Sequence, residues 1–250
     1  MDSSHVTVKG SQVYYETVGE GGPLLLLHGG FGTTHDFDGQ IPALSRHFKV
    51  VAFERPGHGH TADTEGPFTY QSMADSTAEF IETLDLGPSN VVGWSDGAIV
   101  ALLLSISRPE LVKRLVSIGG CFNADSLEPE SFEWIKSATP ESFRRGQPLL
   151  VKRYETASPD GPAHFAEVFS KTKKLWLTEP SILPVQLAKI SAPTLVMAGD
   201  HDAITMDHTM ELYKSINGAK LSIVPGTTHM LLSEKPQLVT SILLDFLGAV

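Results

Sequence analysis

Hydrophobic positions along the chain alternate between two rhythms. Leu24–Leu27 and Val50–Phe53 are unbroken apolar runs that stop at His28-Gly29-Gly30 and Arg55-Pro56-Gly57, as strands do when both faces of a parallel sheet are covered. From Tyr70 the period changes. Tyr70, Met73, Ala74, Thr77, Phe80, Ile81 and Leu84 recur every three or four positions, which predicts an amphipathic helix ended by Gly87-Pro88. Val91-Val92-Gly93-Trp94 then reads as a strand, Ala98–Ile106 as a helix apolar enough to be buried, and Leu115–Ile118 as the next strand, with Pro109 closing the helix between them. The rhythm resumes after Pro193, with strands at Thr194–Ala198 and Leu221–Val224 and an amphipathic helix over Gln237–Leu247. At the start, Val6–Lys9 and Val13–Val18 flank Gly10-Ser11, a hairpin signal that opens the sheet antiparallel. The class is therefore α/β, a mostly parallel sheet covered on both faces.

Between these blocks the alternation fails. Residues 122–189 hold 7 of the 16 prolines and two of the three tryptophans but no convincing parallel strand, so they predict a mostly helical insertion. Residues 1–121 and 190–250 then form the core, and 122–189 a cap over the carboxyl ends of the strands, where ligands bind in open α/β sheets. The aromatics of the insertion serve either as a substrate pocket or as the insertion's own small core.

Charge and cysteine usage narrow the possible partners. The net charge is −10 with no offsetting basic stripe, which repels a phosphate backbone and argues against nucleic-acid binding. The single Cys121 excludes an intramolecular disulfide. No run approaches the ~20 apolar residues of a membrane helix, and the first residues lack the apolar core of a secretion signal. A cytoplasmic protein with no membrane partner is expected. Neither a P-loop nor a dinucleotide fingerprint is present, and His58-x-His60 alone is too little for a metal site, so no cofactor and no metal are expected. Monomer and homodimer both remain open.

The chemistry concentrates at Gly93-Trp94-Ser95-Asp96-Gly97, a G-x-S-x-G pentapeptide between a predicted strand and a predicted buried helix. In that context the serine sits on a tight turn that exposes its hydroxyl above the sheet, and small residues two before and two after it let the turn form. Ser95 is thus the candidate nucleophile. It needs a base, and the base an orienting carboxylate. His229 follows the last strand on a glycine-containing loop, in the place for that base. The carboxylate is expected after the preceding strand, where Asp200 and Asp202 both stand in Gly199-Asp200-His201-Asp202. Asp202 fits the loop position better, and Asp125 is a third option from the loop after the earlier strand. An oxyanion hole needs two backbone donors, each worth ~3 kcal/mol of barrier. The amide of Asp96 is one, and Gly30 or Phe31 in His28-Gly29-Gly30-Phe31-Gly32 supplies the other. His28 is read as structural, packing beneath that loop.

The five motifs His28-Gly29-Gly30, Arg55-Pro56-Gly57-His58-Gly59, Gly93-Trp94-Ser95-Asp96-Gly97, Gly199-Asp200-His201-Asp202 and Gly226-Thr227-Thr228-His229 resemble, in order and strand context, those of the α/β-hydrolase superfamily. The resemblance spans essentially the whole chain outside the insertion. It implies an eight-stranded mostly parallel sheet with a helical cap, and a serine hydrolase that cleaves an ester-like bond of a small molecule through an acyl-enzyme. Trp-Ser-Asp-Gly at the elbow is similar to the valacyclovir-hydrolase branch, which cleaves amino-acid esters. That likeness implies a substrate-binding role for Asp96, facing an ammonium group, and for its neighbour Trp94. Ala98 stands where a second glycine is frequent, and Glu54 where aspartate is. Carbon–carbon bond hydrolases, lactonases, thioesterases and perhydrolases share the triad, whereas serine at the elbow argues against the aspartate-dependent epoxide hydrolases and dehalogenases. A non-catalytic small-molecule receptor is the alternative of a different class.

Overall fold

A computed structural model describes residues 1–249. The strands are β1 (Asp2–Val8), β2 (Ser11–Val18), β3 (Gly22–Leu27), β4 (Phe48–Phe53), β5 (Ser89–Trp94), β6 (Val112–Ile118), β7 (Thr194–His201) and β8 (Lys220–Thr228). Among the described residues they form one eight-stranded sheet in the order β1-β2-β4-β3-β5-β6-β7-β8. The pairs β1/β2 and β2/β4 are antiparallel and the rest parallel. The hairpin turns one residue earlier than its sequence signal. Lys9 at φ 47° and Gly10 at φ 80° form the two-residue loop, Val8 pairs with Ser11, and β1 reaches back to Asp2.

Successive side chains of a strand point to opposite faces, which explains the four consecutive leucines of β3. Leu25 and Leu27 join the apolar layer under α2 (Tyr70–Thr83) and α3 (Asp96–Ser107). Leu24 and Leu26 join the other layer, with α1 (Ile41–Leu44) and the C-terminal helix Pro236–Leu247. Between β6 and β7 lie α4 (Pro129–Ser137), α5 (Pro140–Gly146), α6 (Pro148–Ala157), α7 (Phe165–Thr178) and the short α8 (Pro184–Leu187). Proline opens α4, α5, α6 and α8 at the first turn, where its missing N–H costs nothing. The longest of them, α7, buries Phe165, Val168, Phe169, Thr172 and Leu175 along one stripe.

The sequence pattern did not predict α9 (Met206–Ser215), which connects β7 to β8. Its buried positions are His208, Thr209 and Leu212, so no apolar stripe marks it. The His208 ring stacks on Phe122 with centroids 4.1 Å apart and accepts the Phe122 N–H. The last two helices are α10 (Leu231–Glu234) and α11 (Pro236–Leu247).

Candidate active site

The turn from β5 into α3 is held by close backbone contact. A Cβ at Gly93 would lie 2.2 Å from the Gly97 carbonyl oxygen, and one at Gly97 2.1 Å from that of Leu27. Ser95 between them sits at φ 56°, ψ −122°, a strained conformation for a side-chain-bearing residue. Its N–H donates to the Ile118 carbonyl of the neighbouring strand at 2.8 Å, which fixes the turn from below and leaves the hydroxyl above the sheet edge.

Three stretches far apart in sequence converge on that hydroxyl. The Ser95 Oγ lies 2.9 Å from His229 Nε2, and His229 Nδ1 lies 2.7 Å from Asp202 Oδ1. With Nδ1–H donating to the carboxylate, Nε2 is the acceptor for the serine proton. Burial alone would lower the His229 imidazole, but the charge and hydrogen bond of Asp202, with the charge of Asp96 behind them, outweigh it and hold the ring above its usual value. Burial of Asp202 acts in the raising direction and is likewise overcome by His229 and by the N–H groups of Ile204 and Gly199, so the carboxyl stays below its usual range. The other two acid candidates lie elsewhere. Asp200 is the penultimate residue of β7, where it accepts the Thr227 N–H at 3.0 Å and braces the strand that leads to His229. Asp125 is exposed on a short 3-10 turn.

Asp96 opens α3, where the first amides of a helix have no carbonyl partner within it and point toward the serine. Its side chain turns inward and is only 3% exposed. Oδ1 accepts both the Tyr70 hydroxyl at 2.8 Å and the Trp176 indole N–H at 2.9 Å. Burial raises the carboxyl above its usual value, and the charge of Arg55 with those two bonds offsets this only in part. Neither Tyr70 nor Trp176 carries a sequence signal of its own, because one belongs to the apolar stripe of α2 and the other is one aromatic among several in the insertion.

Trp94, the other residue given a substrate-binding role, packs within the sheet's flanking layer. Residues alternate across β5, so its indole falls on the opposite side of the sheet from the α2–α3 layer, 8% exposed among Val92, Ile118 and Met197. Its Nε1–H donates to the His229 carbonyl at 2.9 Å. Trp94 thereby holds the histidine loop. Phe31 also turns away from a purely local role. At φ 53° it projects into the insertion, with Phe143, Phe165 and Trp176 at centroid distances of 5.0, 5.7 and 5.7 Å. Gly30 beside it faces Trp176, since a Cβ there would meet the indole at 2.5 Å and Asp96 Oδ2 at 2.8 Å.

His58 and His60 part company. His58 is buried and its Nδ1 contacts the Pro56 carbonyl, so burial and the nearby Arg55 charge lower it to about 3. His60 pairs with the buried Glu54 at 3.0 Å.

The sequence profile of the alpha/beta hydrolase fold matches residues 22–155, and the chain belongs to that family. The (E)-2-((N-methylformamido)methylene)succinate hydrolase of Acinetobacter baylyi is 25% identical over 247 residues, covering 90% of each chain. The human serine hydrolase BPHL, the valacyclovir hydrolase, is 25% identical over 245 residues, covering 92% of this chain and 80% of its own. The meta-cleavage product hydrolase of Pseudomonas fluorescens superposes with a TM-score of 0.85 at 22% identity over 98% of this chain and 97% of its own, a likeness of fold. Among the described residues no helix is long and apolar enough to cross a membrane.

Proposed function

We propose that the chain is a cytoplasmic serine hydrolase that cleaves a carboxylic ester, or a related acyl bond, of a small molecule through an acyl-enzyme. The observation that carries this reading is the continuous line from Asp202 through His229 to Ser95, at 2.7 and 2.9 Å. His229 takes the Ser95 proton as Oγ attacks the carbonyl carbon, and the tetrahedral oxyanion is met by the amides of Asp96 and of the Gly30–Phe31 loop. His229 then gives the proton to the leaving oxygen, and the alcohol departs. Water repeats the sequence on the acyl-enzyme, releasing the acid and restoring Ser95. Residues 122–189 act as the cap that shapes the pocket. Asp96 serves mainly as a support within this reading, since Oδ1 is already held by Tyr70 and Trp176.

A fluorophosphonate probe tests the proposal. Prompt labelling of Ser95 is expected, with p-nitrophenyl acetate turnover, and both should vanish in Ser95→Ala. Asp202→Asn should lower kcat by on the order of 10⁴ with little change in KM. A folded wild-type protein that is neither labelled nor active on a broad ester panel would refute the reading.

A further inference from the structure

The Arg55-Pro56-Gly57 motif has no part in the triad, yet Arg55 is 1% exposed at the centre of the molecule. Its Nη2–H donates to the Gly29 carbonyl at 3.0 Å, while Nε and Nη1 are buried with no hydrogen-bond partner. A charge so placed is costly unless something requires it. What it touches is the loop expected to hold one oxyanion donor.

Gly29 is gripped at both of its flanking peptides. Its carbonyl oxygen receives Arg55 Nη2–H, the Gly32 N–H at 3.2 Å and His28 Nδ1 at 2.7 Å. His28 Nε2 accepts the Arg55 backbone N–H at 3.1 Å, so the ring proton is on Nδ1 and also donates to Gly29. The Gly29 N–H donates to Asp36 Oδ2 at 3.2 Å. Asp36 is wedged beneath the loop, since a Cβ at Gly32 would lie 2.1 Å from the same oxygen. A trans peptide places its C=O and N–H on opposite sides. With the Gly29 carbonyl drawn toward Arg55, the Gly30 N–H is turned the other way, to the side away from the buried guanidinium.

We propose that Arg55 and Asp36 are positioning residues that hold Gly29 on its two sides, Arg55 at the carbonyl and Asp36 at the N–H, and so fix the Gly30 amide as the second oxyanion donor. The clamp rests on the acyl-transfer reading above. It acts on the tetrahedral state and not on substrate binding, which sets the test. Arg55→Met, which keeps the stem and removes the donor, should lower kcat about 10- to 100-fold, somewhat less than deleting an oxyanion donor outright, with KM within about twofold. Arg55→Lys should recover part of that loss. Asp36→Asn should lower kcat roughly three- to tenfold. Phenylboronic acid, which forms a tetrahedral adduct on serine, should bind each variant more weakly by the same factor as its kcat falls.

Asp36→Asn decides the matter if the Arg55 variants do not fold, because the asparagine is isosteric and removes a buried charge. A variant at least as stable as wild type but slower is the outcome a purely structural role does not give. Unchanged kcat and unchanged boronate affinity in the folded variants, with wild type active, overturn the clamp alone. A wild type with neither turnover nor boronate binding overturns the acyl-transfer reading and the clamp with it.

Discussion

His229 must be neutral to act as a base, so the acid limb of kcat/KM reports its titration. Because Asp202 and, behind it, Asp96 outweigh burial and raise the ring above its usual value, the limb is expected on the alkaline side of that of a free imidazole. Asp96→Asn removes one negative charge from behind the ring and should move the limb to lower pH, as a pH profile of kcat/KM measures directly. A limb that stays in place would mean the Asp96 charge is not felt at the imidazole. Asp36 carries the opposite kind of signal. Burial first, opposed by the Gly29 N–H and the charge of Arg153, lifts its carboxyl from 3.8 to about 6. The folded state then binds that proton more tightly than the unfolded chain. The resulting penalty is absent below about pH 4, grows as pH rises toward 6 and is complete above it. Asp36→Asn should accordingly raise stability by roughly 1–3 kcal/mol at pH 7.5, with the gain shrinking as pH falls toward 4 in urea titrations. A residue that costs stability and supports turnover fits the usual trade-off at functional sites.

The elbow between β5 and α3 shows what a sequence makes visible. Gly93 and Gly97 were readable as a turn because no other residue fits there, and the structure gives the cause, with the Gly97 position pressed to 2.1 Å from the Leu27 carbonyl oxygen. That oxygen belongs to a central strand and cannot yield. Gly97→Ala is therefore expected to cost about 3 kcal/mol or to prevent folding, whereas Gly22→Ala, with nothing within 4 Å of the new Cβ, should be close to neutral in the same urea titration. The parallel strands and α2 were legible for a similar reason, since burial there is done by apolar side chains at a fixed period. Where polar residues do the burying, the signal is lost. The helix α9 is packed through His208 and Thr209, and the support of Asp96 comes from Tyr70 and Trp176, more than 100 residues apart in sequence. Nor does the place of Trp94 beside Ser95 in sequence say which face of β5 its side chain takes.

Across the whole molecule the 122–189 stretch is fastened to the rest of the chain by contacts of different kinds. Near Ser95 the fastening is apolar and aromatic, with Phe31 set among Phe143, Phe165 and Trp176 and the Trp176 N–H on Asp96. Farther out it is ionic. Asp63, on the loop after β4, has a side chain only 5% exposed and receives Lys171 Nζ at 2.7 Å and His164 Nε2 at 2.8 Å, while its N–H donates to Asp160 Oδ2 at 2.7 Å. Lys171 also donates to the Thr64 carbonyl at 2.8 Å. Removing one partner of a largely buried pair strands the other. Asp63→Ala should thus destabilise the protein by about 3 kcal/mol, while Lys171→Met, which leaves His164 on Asp63, should cost less. Because this latch is separate from the aromatic contact, Ser95 should still be labelled by the fluorophosphonate probe in both variants. Cleavage by trypsin within 158–174 should become faster in Asp63→Ala, the bonds that hold α7 at its outer end having been lost. Equal protease resistance and an unchanged melting temperature in that variant would mean that the remaining contacts fasten this stretch without the latch, and that the ions at its far end only decorate the surface.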